Sequence, residues 1–191
     1  MSRIFINRMI NGVEIIAEVK TKSPFGFKSK ESWDELFSIA DKIGDMISIH
    51  TDERWGGNYD LIRKARKLTS KLILAKGIHK NDEEVKKAIE AGADFVLVVG
   101  RIPKIYREKC LIEVLNLEQF KDIPLGTKAV WNGRDLENRK IKKETFEEAR
   151  EIWKGWLCQA SFIKTWKDVR EGTNAILVGE NLVNFYKSLK N

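Results

Sequence analysis

Short apolar runs punctuate this chain, separated by stretches with a helical repeat. The runs fall at 15–19, 46–51, 72–75, 95–100, 110–115, 127–132, 156–161 and 175–179. Runs of this length, rich in Ile, Val and Leu and not alternating with polar residues, predict strands covered on both faces. Between them, apolar residues recur three and four apart behind capping residues, which predicts helices. Ser32 with Glu35 starts one whose inward face is Leu36, Phe37, Ile39, Ala40 and Ile43, and Gly44 ends it. Asn58 starts a second over Leu61, Ile62, Ala65 and Leu68. Asn81 with Glu84 starts a third over Val85, Ala88 and Ile89, with a Glu83–Lys87 pair one turn apart and Gly92 at its end. Thr145 with Glu148 starts a fourth over Phe146, Ala149, Ile152 and Trp153; Thr165 caps a short one, and 181–189 forms the last. Only a short helix fits at 103–109, and 118–122 is too short for a full one.

Strands alternating with helices predict a parallel sheet with right-handed crossovers, and eight such repeats close it into a (β/α)8 TIM barrel. Residues 1–191 read as a single barrel domain, with shortened connections around strand five and no long N-terminal extension. Ile4, Phe5, Ile6, Met9 and Ile10 are expected to cover the barrel's lower end. An open doubly wound sheet is the other α/β solution, but its glycine-rich first turn is absent, since Lys20-Thr21-Lys22-Ser23 follows strand one.

Charged residues inside the apolar runs change the picture. Glu18 and Lys20 lie two apart, so a strand points them to the same side. Burying them costs several kcal/mol unless they are paired or used, so they read either as an internal ion pair or as part of a site. In a barrel of this kind the site lies at the C-terminal strand ends. The residues there are Glu18 and Lys20, Thr51, Lys76, Glu113, Asn132, Ser161 and Gly179. Two lysines and two carboxylates at one end suggest general acid–base work on an anionic substrate, with one lysine made a better proton donor by the other. Backbone N–H groups at Gly179-Glu180-Asn181, starting the last helix, suit a phosphate, and Ser23 offers a hydroxyl.

Composition narrows the partners. The chain has 191 residues, 42% apolar and 33% charged, with a net charge of +7. Lys and Glu dominate the charged residues of the predicted helices, a pattern of hyperthermophilic proteins. The densest basic cluster, Arg139-Lys140-Ile141-Lys142-Lys143, is interrupted and belongs to no nucleic-acid-binding motif. Cys110 and Cys158 fall in predicted strands and read as small apolar residues. His50 and His79 have no metal-ligand spacing around them. No apolar run approaches about 20 residues, and there is no signal peptide, so a cytoplasmic protein is expected.

Several motifs resemble those of indole-3-glycerol phosphate synthase. They are Glu18-Val19-Lys20-x-x-Ser23-Pro24, Thr51-Asp52-Glu53-Arg54-Trp55-Gly56-Gly57, Ala75-Lys76, Ala91-Gly92-Ala93-Asp94, Leu111-Ile112-Glu113-Val114, Asn132-Gly133-Arg134-Asp135-Leu136 and Leu177-Val178-Gly179-Glu180-Asn181-Leu182. The resemblance implies conversion of 1-(2-carboxyphenylamino)-1-deoxyribulose 5-phosphate to indole-3-glycerol phosphate, by ring closure, decarboxylation and dehydration in tryptophan biosynthesis. It implies neither metal nor organic cofactor. Lys76 would be the general acid of ring closure, Glu113 the general base, and Lys20 the acid assisting loss of hydroxyl. Glu18, Asn132 and Ser161 would orient the substrate. Ser23, Pro24, Trp55, Arg134, Gly179 and Glu180 would contact or shape its site, with Trp55 holding the aromatic ring. The expected partner is a phosphorylated small molecule, with neighbouring enzymes of the pathway as possible associates of a monomer, and neither nucleic acid nor a membrane is expected.

Three features depart from the family pattern. Its seventh strand ends Glu-Ser-Gly, where this chain has Ala160-Ser161-Phe162, so a carboxylate and a glycine are replaced. Gln159 could stand in only if a bulge turned it inward. Only fourteen residues precede Ile15, where the family carries a longer leader, and the connections around strand five are short. A phosphate-binding barrel of the same family with weakened or no turnover is the alternative. A related ribulose-phosphate isomerase is disfavoured because its cysteine and aspartate are not found at the corresponding strand ends.

Overall fold

The structure, a computed structural model, describes residues 12–135 and 140–190. Residues 4–10, expected beneath the barrel, and Leu136 lie outside the described residues. Eight parallel strands pair in sequence order and close on themselves: β1 Glu14–Val19, β2 Met46–His50, β3 Leu72–Lys76, β4 Phe95–Val99, β5 Cys110–Val114, β6 Lys128–Asn132, β7 Leu157–Ala160 and β8 Ala175–Val178. The closing pair sets Ile16 beside Leu177. The expected (β/α)8 architecture is therefore present, with each strand's bounds within one residue of its apolar run at either end.

Among the described residues five α-helices wrap the barrel: α1 Trp33–Ile43, α2 Tyr59–Leu68, α3 Asp82–Glu90, α4 Phe146–Ile152 and α5 Leu182–Ser188. The side-chain caps are in place. Ser32 and Thr145 form reciprocal capping boxes with Glu35 and Glu148, and Asn58 and Asn81 cap α2 and α3. Two inward assignments are corrected. Leu68 and Ile152, each expected on an inner face, are 54% and 48% exposed. Each is the last residue of its helix, so it has run past the strands that the preceding turn covers.

The remaining connections hold short 3-10 helices, at Arg107–Lys109 after β4, Leu117–Lys121 after β5 and Trp166–Asp168 after β7, the last capped by Thr165 as expected. A full helix is missing from the outside of β6, and aromatic side chains fill its place. Trp131 points outward from β6 and is fully buried; Phe120 stacks on it at 6.1 Å, and Trp153 stacks on Phe120 at 5.8 Å. Large flat rings cover more strand surface per residue than a helix of small side chains would.

Alternation sorts each strand into two faces. Ile16, Leu74, Leu97, Leu111, Val130, Cys158 and Leu177 pack inside the barrel, while Ile15, Ile47, Ile73, Val96, Ile112 and Ile176 face the helices. Both cysteines are buried and free; burial pushes the Cys110 thiol up to about 11.

The last helix, α5, follows β8 at the barrel's seam, and its Phe185 is fully buried and packs against Trp166 at 5.6 Å. Phe185→Ala is expected to cost about 3–5 kcal/mol in denaturant-induced unfolding. A loss below about 1 kcal/mol would show that the last helix does not hold the seam.

Candidate functional site

The apolar interior stops one layer below the C-terminal strand ends, and the next inward layer is polar. Two residues beyond Ile16 stands Glu18, two beyond Leu74 stands Lys76, two beyond Leu111 stands Glu113, and two beyond Val130 stands Asn132. These residues surround a pocket of about 310 Å³. Of the residues singled out in the sequence, Glu18, Lys20, Pro24, Trp55, Lys76, Glu113, Asn132, Arg134, Ser161, Gly179 and Glu180 line it together.

Glu18 and Lys20 do not pair with each other, which corrects the internal-ion-pair reading. Glu18 Oε1 accepts from Lys76 Nζ at 3.0 Å, whereas Lys20 Nζ donates to Glu180 Oε1 at 2.9 Å. The two lysines expected to act on one another each sit on a separate carboxylate instead. Burial would push the Glu18 carboxyl up, but Lys76, His50 and Lys20 together hold it well below the usual carboxylate range.

Gly179 has a steric role. A Cβ there would lie 1.8 Å from Glu18 Oε2. The absence of a side chain on β8's exit is what lets the Glu18 carboxylate occupy the centre of the ring.

Glu113 belongs to a second network. Asn132 donates from Nδ2 to Glu113 Oε1 at 2.9 Å. The Asn132 carbonyl accepts from Ser161 Oγ at 2.6 Å and from the Arg134 backbone N–H at 3.0 Å. The amide orientation is thereby fixed by donors on one side and an acceptor on the other. Burial raises the Glu113 carboxyl above its ordinary value, and the opposing pull of Lys76 and Asn132 does not cancel it.

Other residues differ from expectation. Ser23 does not line the pocket; its Oγ accepts from the N–H groups of Phe25 and Phe27, tying the β1 loop so that Pro24 and Phe25 reach the pocket. Thr51, taken as the end of strand two, lies past it and bonds the Lys76 carbonyl and His79. The inward residue of β2 is His50, in step with Met46 and Ser48, and counting in twos from Met46 would have found it. Its Nε2 lies 2.5 Å from Glu18 Oε1, a close approach that is not aligned as a hydrogen bond. Burial keeps this imidazole below its ordinary pKa despite Glu18. Trp55 stacks on His50 at 5.6 Å and meets Phe25 edge-on at 6.0 Å.

Gln159 points away from the pocket, with its side chain bonded to the Asp168 carbonyl, the Arg170 N–H and Thr173 Oγ1. It does not stand in for the carboxylate absent at Ala160, because β7 keeps its alternation to the end. Ser161 and Phe162 then turn through left-handed backbone at φ 74° and 60°, conformations that disfavour side chains. This places the Phe162 ring at the pocket wall, 5.3 Å from the Arg134 guanidinium.

Among the described residues no group of three His, Cys, Asp or Glu side chains is placed to hold a metal ion, and no helix is long and apolar enough to cross a membrane.

Comparison with known proteins agrees with this geometry. The profile of indole-3-glycerol phosphate synthase matches residues 3–188. Among curated relatives, the indole-3-glycerol phosphate synthase of Sulfurisphaera tokodaii is 32% identical over 72% of this chain and 54% of its own length. That of Picrophilus torridus is 30% identical over 71% of this chain and 60% of its own, and that of a Thermoanaerobacter species 27% identical over 90% and 75%. The matched part thus spans about half to three-quarters of these relatives. A profile match over nearly the whole length, together with the barrel and its ring of strand-end residues, places this chain in the indole-3-glycerol phosphate synthase family.

Proposed function

We propose that this chain is an indole-3-glycerol phosphate synthase, acting on 1-(2-carboxyphenylamino)-1-deoxyribulose 5-phosphate by ring closure, decarboxylation and dehydration. The observation that carries the reading is the convergence of Lys20, Lys76 and Glu113 on one pocket whose floor is the sealed apolar interior of the barrel. Ring closure needs a proton delivered to the ketone oxygen as the new carbon–carbon bond forms. Lys76, held at the rim by Glu18, is the donor in this reading. Loss of carbon dioxide from the ring carbon that formed the bond restores aromaticity, and the dehydration that follows removes the hydroxyl from the former ketone carbon and a proton from the adjacent methylene carbon. Glu113 takes a proton in that stage, its raised pKa making it a stronger base than an exposed carboxylate. Lys20 protonates the departing hydroxyl. Asn132 and Ser161 fix Glu113 and offer hydrogen bonds to the sugar hydroxyls, and Trp55 and Phe25 flank the aromatic ring.

A barrel that binds phosphate without turnover is favoured by one feature. The β7 position where the family has glutamate is Ala160, buried within the barrel's apolar cluster. Turnover measurements separate the two readings. Indole fluorescence is expected to appear with substrate and to fall about 10²–10⁴-fold in Lys76→Ala. Binding of substrate with no product at any temperature would select the binding barrel.

Glu113 must be ionised to act as a base. Because its pKa is raised, activity is present above that value and lost as pH falls through it. The acid limb of kcat/KM is expected above 4.5, and a limb at or below that value would remove Glu113 from the role. Gly179→Ala is expected to push Glu18 off Lys76 and lower kcat about 10²-fold in a protein that still folds. Full activity in that variant would show that Glu18's placement is not needed.

A further inference from the structure

Four cations line the pocket, Lys20, Arg54, Lys76 and Arg134, and so do four carboxylates, Glu18, Asp52, Glu113 and Glu180. Each of the four cations already touches a carboxylate. Lys76 holds Glu18 at 3.0 Å, Arg54 holds Asp52 at 2.6 Å, and Lys20 and Arg134 both hold Glu180, at 2.9 and 3.2 Å. A dianionic group entering such a pocket finds no cation to spare. It must take one over from its present partner, since a charge left without compensation among low-dielectric walls is costly.

The three paired carboxylates differ in how readily they can leave. Glu18 is enclosed, 2% exposed, and wedged against Gly179. Asp52 caps the turn that carries Trp55, accepting from the Arg54 N–H as well as its guanidinium. Glu180 is partly exposed, follows Gly179 at the exit of β8, and is held through its two carboxylate oxygens alone, one on each cation. Lys20 is 9% exposed and Arg134 as exposed as Glu180 itself, and the two cations stand on opposite sides of the seam, on the β1 and β6 exits. Their positive charge keeps the Glu180 carboxyl below its ordinary value against the pull of burial, so it is an anion at neutral pH.

We infer that Glu180 is a resident anion occupying a seat, built by Lys20 and Arg134, for the phosphate group of the ligand, and that the ligand enters by exchanging places with it. The inference rests on the synthase reading for the identity of the incoming group. The exchange makes the seat selective. A monoanion gains little by displacing another carboxylate, whereas a dianionic phosphate brings more charge to the same two cations. It also lowers apparent affinity by the fraction of time the seat stands open.

The test is a calorimetric titration of the purified chain with inorganic phosphate and, separately, with acetate, alongside Glu180→Gln and Glu180→Ala. A seat closed nine-tenths of the time predicts that both variants bind phosphate about tenfold more tightly, and that acetate, silent with the wild-type chain, becomes detectable. Adding Lys20→Met to Glu180→Gln is expected to remove the gain. Unchanged or weaker phosphate binding in variants whose thermal melts match the wild type would overturn the exchange. In the wild-type protein, the carbon resonance of the Glu180 carboxylate is expected to shift on phosphate addition, and a stationary resonance would overturn it equally. No turnover enters these measurements. Tighter phosphate binding in a chain that never makes product would leave the exchange standing and sink the synthase reading, while product formation with unchanged binding would do the reverse.

Discussion

Glu18 is enclosed on all sides and yet carries a charge, and the upper barrel is arranged to make that possible. Taking a carboxylate out of water costs several kcal/mol, which only close opposite charge and good contacts offset. Lys76 supplies the charge from β3, His50 stands against the same oxygen from β2, and Gly179 vacates the space on β8. Four strands therefore have to be in register before the carboxylate can sit where it does. The pairings Glu18 with Ser48, His50 with Lys76 and Ala17 with Val178 are that register.

The same end of the barrel trades local backbone comfort for placement. Ser161 and Phe162 both adopt left-handed backbone just after β7, at a cost of roughly 1–2 kcal/mol each for residues with side chains. In return, Ser161 reaches the Asn132 carbonyl, and Asn132 in turn holds Glu113. Strain of this sort persists where surrounding contacts over-determine the geometry, as they do around Asn132. The aromatic cover over β6 works in the opposite sense, letting a short connection seal a strand that a helix would ordinarily protect.

Pocket electrostatics divide into two kinds of carboxylate. Glu18 and Glu180 are held ionised by cations, whereas Glu113 is left with a burial penalty that its neighbours do not erase. Groups driven in opposite directions within one cleft are what separates a proton acceptor from a charge that only positions others. Asn132 is the hinge between them, because it contacts Glu113 by its amide and the Arg134 backbone by its carbonyl.

Strand order, barrel closure and the helix starts were legible in the sequence, because period-two and period-3.6 burial and the cap residues are local properties of the chain. The charged residues inside otherwise apolar runs, Glu18, Lys76 and Glu113, announced the site for the same reason: water-loving groups at positions that burial dictates. Partnership was not legible. Glu18 pairs across to β3 rather than along its own strand to Lys20, Glu180 bridges Lys20 and Arg134, and Ser23 spends its hydroxyl inside its own loop. The turn away from the barrel by Leu68 and Ile152, and the inward turn of His50, hang on where each element stops. Sequence fixes which side chains share a face, but only the closed barrel sets the distances between faces, and ionic and hydrogen-bonded contacts are decided over those few ångströms.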